Sequence, residues 1–321
     1  MKVLKPYKFE PYLKTVIWGG NRIATFKGIE TDLENIGESW EISGVKGHES
    51  VVAEGDEKGL TLTELIGEHK GSLVGEKVYQ RFGNEFPLLV KIIDANQNLS
   101  LQVHPDDELA RQRHNCMGKN EMWYIINPVD DAKIISGLTH EITPDEYVRR
   151  IADNTIMEVA AQHPSHADEV FYVPAGQLHG IGAGNLLAEI QQTSDITSRV
   201  YDYDRRDKDG NPRELHTQMA KDAINYKYTS GNNRLFADAK GYVTVVDCPY
   251  FTVSRLVLDG IDTIDLGESF MVVMCLKGYG TLTTGETVTP IHRGETLLVP
   301  ASAGRIHLDG NALLLTATMP V

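Results

Sequence analysis

Two stretches of this chain share one pattern without a gap: DEVFYVPAGQLH at 168–179 and GETLLVPASAGR at 294–305, with Glu169 answering Glu295 and Pro174 answering Pro300. Each is an acid, a short aliphatic run, Val-Pro-Ala and a turn of small residues, the pattern of a β-strand that ends in a tight connection. A chain that writes this unit twice is expected to build two related β modules. The fifth residue after the proline is His179 in the first copy and Arg305 in the second, so only the first offers a metal ligand there.

The intervening sequence agrees with a mainly β architecture. EFPLLVKIIDANQNLSLQVH (85–104) reads as two short strands around a turn-like 94–98, and MWYIINP, AKIISGL, EVFYVPAG and NLLAEIQQTS repeat the style, broken by Gly, Pro and Asn. Helical signals are few. TPDEYVRRIADN predicts a helix capped by Thr143, with Pro144 at its first position and Tyr147, Val148 and Ile151 as its apolar face. The segment that begins at Thr61 predicts one or two more helices. DRRDKDGNPRELH (204–216) predicts a polar loop or connection. The expected layout is a first module over 1–205 carrying the helical segments, a connecting segment over 206–240, and a second module over 241–321 without metal ligands.

Charge and cysteine usage narrow the function. A formal net charge of -14 argues against a general nucleic-acid or anionic-membrane binder, so any anionic substrate must be held by a local cluster of cations. Cys116, Cys248 and Cys275 form no C-x-x-C pair and suggest neither a disulfide framework nor a thiolate metal site. With no signal-peptide pattern at the N-terminus and no apolar run of spanning length, a soluble, cytoplasmic protein is expected.

Four side chains suit a metal ion. In SLQVH, Gln102 and His104 fall on one face of a strand while Leu101 and Val103 take the other, because side chains alternate. Glu121 in GKNEMWY and His179 in PAGQLHG add a carboxylate and a second imidazole, and only a fold of converging strands can gather groups this far apart in sequence. Two imidazoles, one carboxylate and one neutral amide suit a borderline divalent ion such as zinc, which would keep net positive charge and polarise substrate oxygens. The company these residues keep sets them apart from His48, His114, His163 and His166, which sit in polar surroundings. Lys119 stands two residues before Glu121, Lys91 interrupts the apolar PLLVKII, and Arg199 follows Asp195 by four. A lysine in a core strand needs a partner or a polar cavity. Arg199 can equally be read as the ion-pair partner of Asp195, and Lys119 as a solvated loop residue. Trp40 reads as core within ESWEIS, Trp18 could face a sugar, and Ser39 and Ser43 are phosphate donors by position alone.

The two-histidine, one-glutamate set and the turn P-x-G-x-x-H-x5-N over 174–185 suggest the cupin fold. The fuller series resembles type I phosphomannose isomerases in their short bacterial form. That series is VIWGG, IGESWEISG, FPLLVKIIDANQNLSLQVHPDD, GKNEMWYII, VPAGQLHGIGAGNLLAEIQQTSD and TSRVYDYDR, in order over most of 1–205. The resemblance implies two cupin-type β-barrel (jelly-roll) modules with a small helical insertion, the second free of metal. It implies one zinc ion held by Gln102, His104, Glu121 and His179, and an active-site Arg199, with Lys91, Lys119 and Asp195 lining the pocket. Some relatives carry a histidine where this chain has Gly118, so a ring-opening role for that histidine does not transfer. The implied reaction interconverts mannose 6-phosphate and fructose 6-phosphate through an enediolate. Lys119 and Asp195 both stand as candidates for its base, and Lys91 would help hold the phosphate or neutralise the pocket. The implied partner is a small sugar phosphate, with a homodimer left open. Two rivals stand beside this reading: a cupin oxygenase using His104, Glu121 and His179 for iron, against which Gln102 counts as a fourth ligand, and a non-catalytic sugar-binding cupin.

Overall fold

The computed structural model describes residues 4–207, 209–228, 234–236 and 241–321, with the backbone course alone for 234–236. The expected connecting segment 206–240 therefore lies partly outside the described residues. Strands dominate, in three antiparallel sheets.

The first module pairs two of these sheets face to face. One has seven strands and runs from edge to edge as Arg234–Phe236, Glu169–Val173, Glu121–Ile125, Asn185–Gln192, Leu88–Ala95, Ile36–Ser43 and Tyr12–Gly20. The other has five: Ser198–Tyr201, Leu101–Val103, His179–Ile181, Lys133–Leu138 and Ala160–Pro164. Ile93, Trp123, Phe171 and Leu187 of the first sheet pack on Ile134 and Ile181 of the second, so the alternating apolar residues close a core between the layers. The outer face of the seven-stranded sheet, with Leu88, Val90, Tyr124 and Ile190, is buried beneath the helices and the second module. Burial on both faces explains why Leu88–Ala95 and Asn185–Gln192 read as continuous apolar runs.

The third sheet, of eight strands, forms the second module around its own core of Leu256, Val273, Leu282, Leu297, Ile306 and Leu314. Two strands of the N-terminal region extend it: Tyr7 of Tyr7–Glu10 lies opposite Leu298, and Phe9 lies opposite Val52. They are held there because Tyr7, Phe9 and Val52 share one buried cluster with Phe270, Val272 and Leu298. The internal repeat has a direct structural counterpart. Glu169–Val173 leads through a turn to His179–Ile181, and Thr296–Val299 leads through the turn Ala301–Ala303 to Arg305–Thr318. Arg305 is exposed and pairs with Asp265 at 2.6 Å.

Two helical expectations need correction. The segment from Thr61 forms three short helices, Leu62–His69, Gly71–Val74 and Glu76–Phe82, rather than one or two. The chain breaks at Lys70 (φ 50°) and at Gly75 (φ 96°), where a Cβ would lie 2.1 Å from the carbonyl oxygen of Glu268. The helix Pro144–Ala152 begins as expected, with Thr143 accepting a hydrogen bond from the Glu146 N–H. Its buried face is narrower than expected: Tyr147 is enclosed and Ile151 packs beside it, but Val148 is 40% exposed because the helix covers the core along one row only. Among the described residues no helix is long and apolar enough to cross a membrane.

Candidate metal centre and its cleft

Strand register assembles the site. His179 lies across from Ser136 on one side and Gln102 on the other, and Gln102 lies across from Arg199. Residues directly opposite share a face, so Ser136, His179, Gln102 and Arg199 make one row across the five-stranded sheet. His104 follows Gln102 by two and joins that face. The seven-stranded sheet answers with Trp40, Lys91, Glu189 and Trp123 in one row, and Glu121 stands two residues before Trp123.

The two rows meet at His104, Glu121 and His179, all buried. His104 Nε2 is 3.4 Å from one oxygen of Glu121, His179 Nε2 is 3.3 Å from the other, and the two ring nitrogens are 3.1 Å apart. His179 Nδ1 lies 2.7 Å from the carbonyl of Gln177, which assigns the ring proton to Nδ1 and leaves the Nε2 lone pair facing the cluster. His104 Nε2 lies 3.0 Å from the Lys119 ammonium and so also presents a lone pair. Two facing lone pairs repel unless a cation draws them together. Neither oxygen of buried Glu121 accepts a well-directed hydrogen bond, although Lys119 Nζ stands 3.0 Å away. This is the donor set of a borderline divalent ion, and it fits one.

The electrostatics hold the ligands in their binding forms. Burial, with Lys119 adding to it, lowers the His104 pKa to about 3, and burial also lowers that of His179, so both rings are neutral at physiological pH. Burial alone would raise the Glu121 carboxyl; Lys119 and the two imidazoles reverse this and hold it well below the usual carboxylate range.

The centre lies behind the wall of a cleft of about 420 Å³, which Trp18, Trp40, Gln102, Lys119, Asp195 and Arg199 help to line; Lys119 joins the two, since its ammonium is 3.0 Å from both His104 and Glu121. Lys91 enters the cleft wall from its core strand and is matched twice, 2.8 Å from Glu189 and 3.5 Å from Glu38. Trp123 Nε1 donates to Glu189 and Trp40 Nε1 to Glu38, at 2.9 and 2.7 Å. Burial opposes charge on Lys91, but Glu189 and then Glu38 outweigh it and raise its pKa; Glu38 in turn is lowered to about 2, Lys91 and Lys14 overcoming its burial.

Apart from Ser39 and Ser43, the candidate ligand and pocket residues named from the sequence come to this centre or its cleft. Some details differ. Arg199 makes no ion pair with exposed Asp195; its guanidinium donates to the Glu214 carbonyl at 2.8 Å. Trp40 both packs in the core and lines the cleft, and Trp18 does the same at 5% exposure. Ser39 and Ser43 do not line the cleft: Ser39 falls on the face of its strand opposite Trp40 and is buried against Glu41 at 2.6 Å, and Ser43, beyond a register shift after Trp40, lies opposite Leu89 and accepts from the Val45 N–H. At Gly118 a Cβ would come within 2.6 Å of the backbone of Asp106 and Asp107, so no larger residue fits that position with the backbone in this course. Asn185, which closes the sequence turn, braces the backbone by donating to the Lys133 and Gly182 carbonyls. The sequence reading passed over Glu38, Glu189, Lys14 and Arg213. Glu189 carried a usable signal, since a carboxylate inside apolar LLAEI is as anomalous as Lys91 inside PLLVKII.

Fold and site together define a two-module cupin-type protein with a buried candidate metal centre between the sheets of its first module. Its relatives make the class specific. The model of the phosphomannose isomerase type I catalytic domain matches residues 7–125, and that of the mannose-6-phosphate isomerase cupin domain matches 242–318. The chain is 37% identical to mannose-6-phosphate isomerase ManA of Bacillus subtilis, over 96% of this chain and 97% of the relative. It is 34% identical to a mannose-6-phosphate isomerase of Streptococcus mutans, over 98% of each. The crystal structure of a Bacillus subtilis mannose 6-phosphate isomerase superposes with a TM-score of 0.87 at 33% identity, covering 98% of this chain and 99% of that one. The chain belongs to the type I phosphomannose isomerase family.

Proposed function

We propose that this protein interconverts mannose 6-phosphate and fructose 6-phosphate, with a zinc ion held by Gln102, His104, Glu121 and His179. The observation that carries the reading is the buried convergence of two imidazole lone pairs and an ionised carboxylate directly behind a cationic cleft, with Lys119 touching both. The names of the relatives supply mannose 6-phosphate as the substrate, and moving its carbonyl from C1 to C2 gives fructose 6-phosphate. We assign the chemistry to the module over 1–205, with 206–240 as connector and 241–321 as a module without metal.

A divalent ion bound there supplies Lewis-acid polarisation of the substrate's C1 and C2 oxygens. The chain's own residues do the rest. A proton leaves C2 of the open-chain aldose and returns to C1, while a hydroxyl proton passes from O2 to O1, through an enediolate whose negative charge needs fixed positive groups nearby. Arg199, in the same row as Gln102, supplies one such charge. Of the two proton-carrying candidates, Lys119 is buried beside the ligands and Asp195 stands exposed, so we assign the transfer to Lys119. Trp18 and Trp40 keep water from one wall, and Lys91 balances Glu38 and Glu189 there.

The test is conversion of mannose 6-phosphate by the purified chain before chelation, after it, and after zinc is restored. Loss and recovery of turnover are expected. A metal-replete chain that converts nothing, or a stripped chain that works equally well, would end the proposal.

A further inference from the structure

The cleft holds five cations, Lys14, Lys91, Lys119, Arg199 and Arg213, in a chain of formal net charge -14. The three lysines are matched by carboxylates of the cleft wall and the metal centre. Lys91 lies between Glu189 and Glu38, Lys14 is 3.4 Å from Glu38, and Lys119 is 3.0 Å from Glu121. The positive excess gathers around the two arginines, where Arg213 shares its one carboxylate, Asp202, with Arg205 and Arg199 has no carboxylate partner among the described residues.

Arg213 arrives on the polar segment 204–216. That segment is strapped to the strand Ser198–Tyr201 by hydrogen bonds from the His216 N–H to the Arg199 carbonyl (2.7 Å) and from the Arg199 N–H to His216 Nδ1 (3.0 Å). Asp202 then takes the Arg213 fork at 2.8 and 2.5 Å, and the same carboxylate also pairs with Arg205 at 2.5 Å. One carboxylate therefore serves two guanidinium groups while a third, Arg199, stands beside them with its Nε buried and without a hydrogen-bond partner. Three positive charges against one, partly desolvated, repel one another. Burial first, and then Arg213, lower the Arg199 pKa. An arrangement of this kind is relieved by an anion, and guanidinium forks suit the oxygens of a phosphate.

The position along the cleft matches a sugar phosphate. Arg199 is next in register to Gln102, beside the metal centre, whereas Arg213 lines the cleft from the neighbouring segment with a quarter of its side chain exposed. The phosphate of a hexose 6-phosphate is the end remote from C1 and C2. Lys91, for which the sequence left open holding the phosphate or neutralising the pocket, is already committed to two carboxylates.

We propose that Arg213, presented by Asp202 and acting beside Arg199, grips the phosphate of the substrate. The identity of the substrate rests on the isomerase reading above; the anion site itself does not.

The test uses the metal-loaded full chain and its Arg213→Ala, Arg213→Gln and Arg213→Lys variants. Binding of inorganic phosphate is read by calorimetry, and KM and kcat are read for mannose 6-phosphate. Removing the charge-assisted contact should weaken phosphate binding and raise KM about ten- to hundredfold, with kcat changing much less and Arg213→Lys falling between. Arg213→Gln keeps most of the side-chain volume and covers the case in which Arg213→Ala fails to fold. Phosphate affinity unchanged in folded Arg213→Gln, no phosphate binding by the native chain, or a fall in kcat with KM unmoved would each overturn the assignment. A native chain that binds phosphate through Arg213 but converts no mannose 6-phosphate would leave the anion site standing and remove the isomerase reading.

Discussion

Arg199 and Lys91 both carry positive charge into the cleft, yet their neighbours give them opposite expected phenotypes. Arg199 donates to one neutral carbonyl and leaves its Nε free, so little of the fold depends on its charge. Arg199→Ala should lower turnover by about 100-fold or more, as loss of a preorganised charge at an oxyanion does, while the melting temperature barely moves. Near-native turnover in steady-state assays would remove it from the mechanism. Lys91 is locked between Glu189 and Glu38, all three buried. Lys91→Met strands two carboxylates in the interior and should cost about 3–5 kcal/mol in denaturant unfolding, and adding Glu189→Gln should recover part of that loss. An unchanged unfolding midpoint for the single variant would show that the cleft solvates these acids.

Among the elements, the segment 202–216 is the one whose composition least suggests its importance. Its described residues belong to no helix or strand of more than an isolated bridge, and Asp202 organises it by holding Arg205 and Arg213. Burial pushes the Asp202 carboxyl up, but Arg213 and Arg205 outweigh it and the folded pKa lies below the ordinary value. The sign follows from linkage: the carboxylate stabilises the fold fully above the ordinary carboxylate range, near about pH 4, and this is lost as pH falls through the lower folded value. Asp202→Asn should therefore flatten the acid limb of a stability-versus-pH curve. An acid limb identical to that of the native chain would mean the clamp does not form.

At the scale of the whole molecule, buried phenols tie both modules to one pH limit. Tyr7 and Tyr124 belong to the cluster shared by the two modules, and burial pushes both phenols up, as it does for Tyr147 and Tyr172. Burial takes Tyr203 and Tyr226 to about 12. A raised folded pKa means that the neutral phenol is favoured in the fold. The stabilisation is complete below about pH 10, where a free phenol titrates, and disappears as pH rises through 12 and beyond. Melting temperatures measured from pH 8 to the alkaline limit should be level at first and then fall steeply above about pH 10. A level profile throughout would show that these rings titrate without unfolding.

The sequence by itself determined what is local. Alternation put Gln102 and His104 on one face, the Val-Pro-Ala repeat marked two equivalent strand-turn-strand units, Thr143 and Pro144 placed a helix start, and a charged residue inside an apolar strand marked Lys91 as unusual. These are consequences of side-chain period and backbone propensity, which act over a few neighbours. The tertiary structure decided what depends on register and on packing between layers. Cross-strand pairing sets His179 beside Gln102 and Arg199 beyond it, and the meeting of two sheets brings Glu121 to both imidazoles. Packing turns Ser39 and Ser43 away from the cleft, draws Tyr7–Glu10 into the far sheet and leaves Val148 exposed. It also delivers Arg213 from a polar connection into the cleft wall, where one carboxylate shared by two arginines creates an excess of charge that no stretch of the chain carries alone.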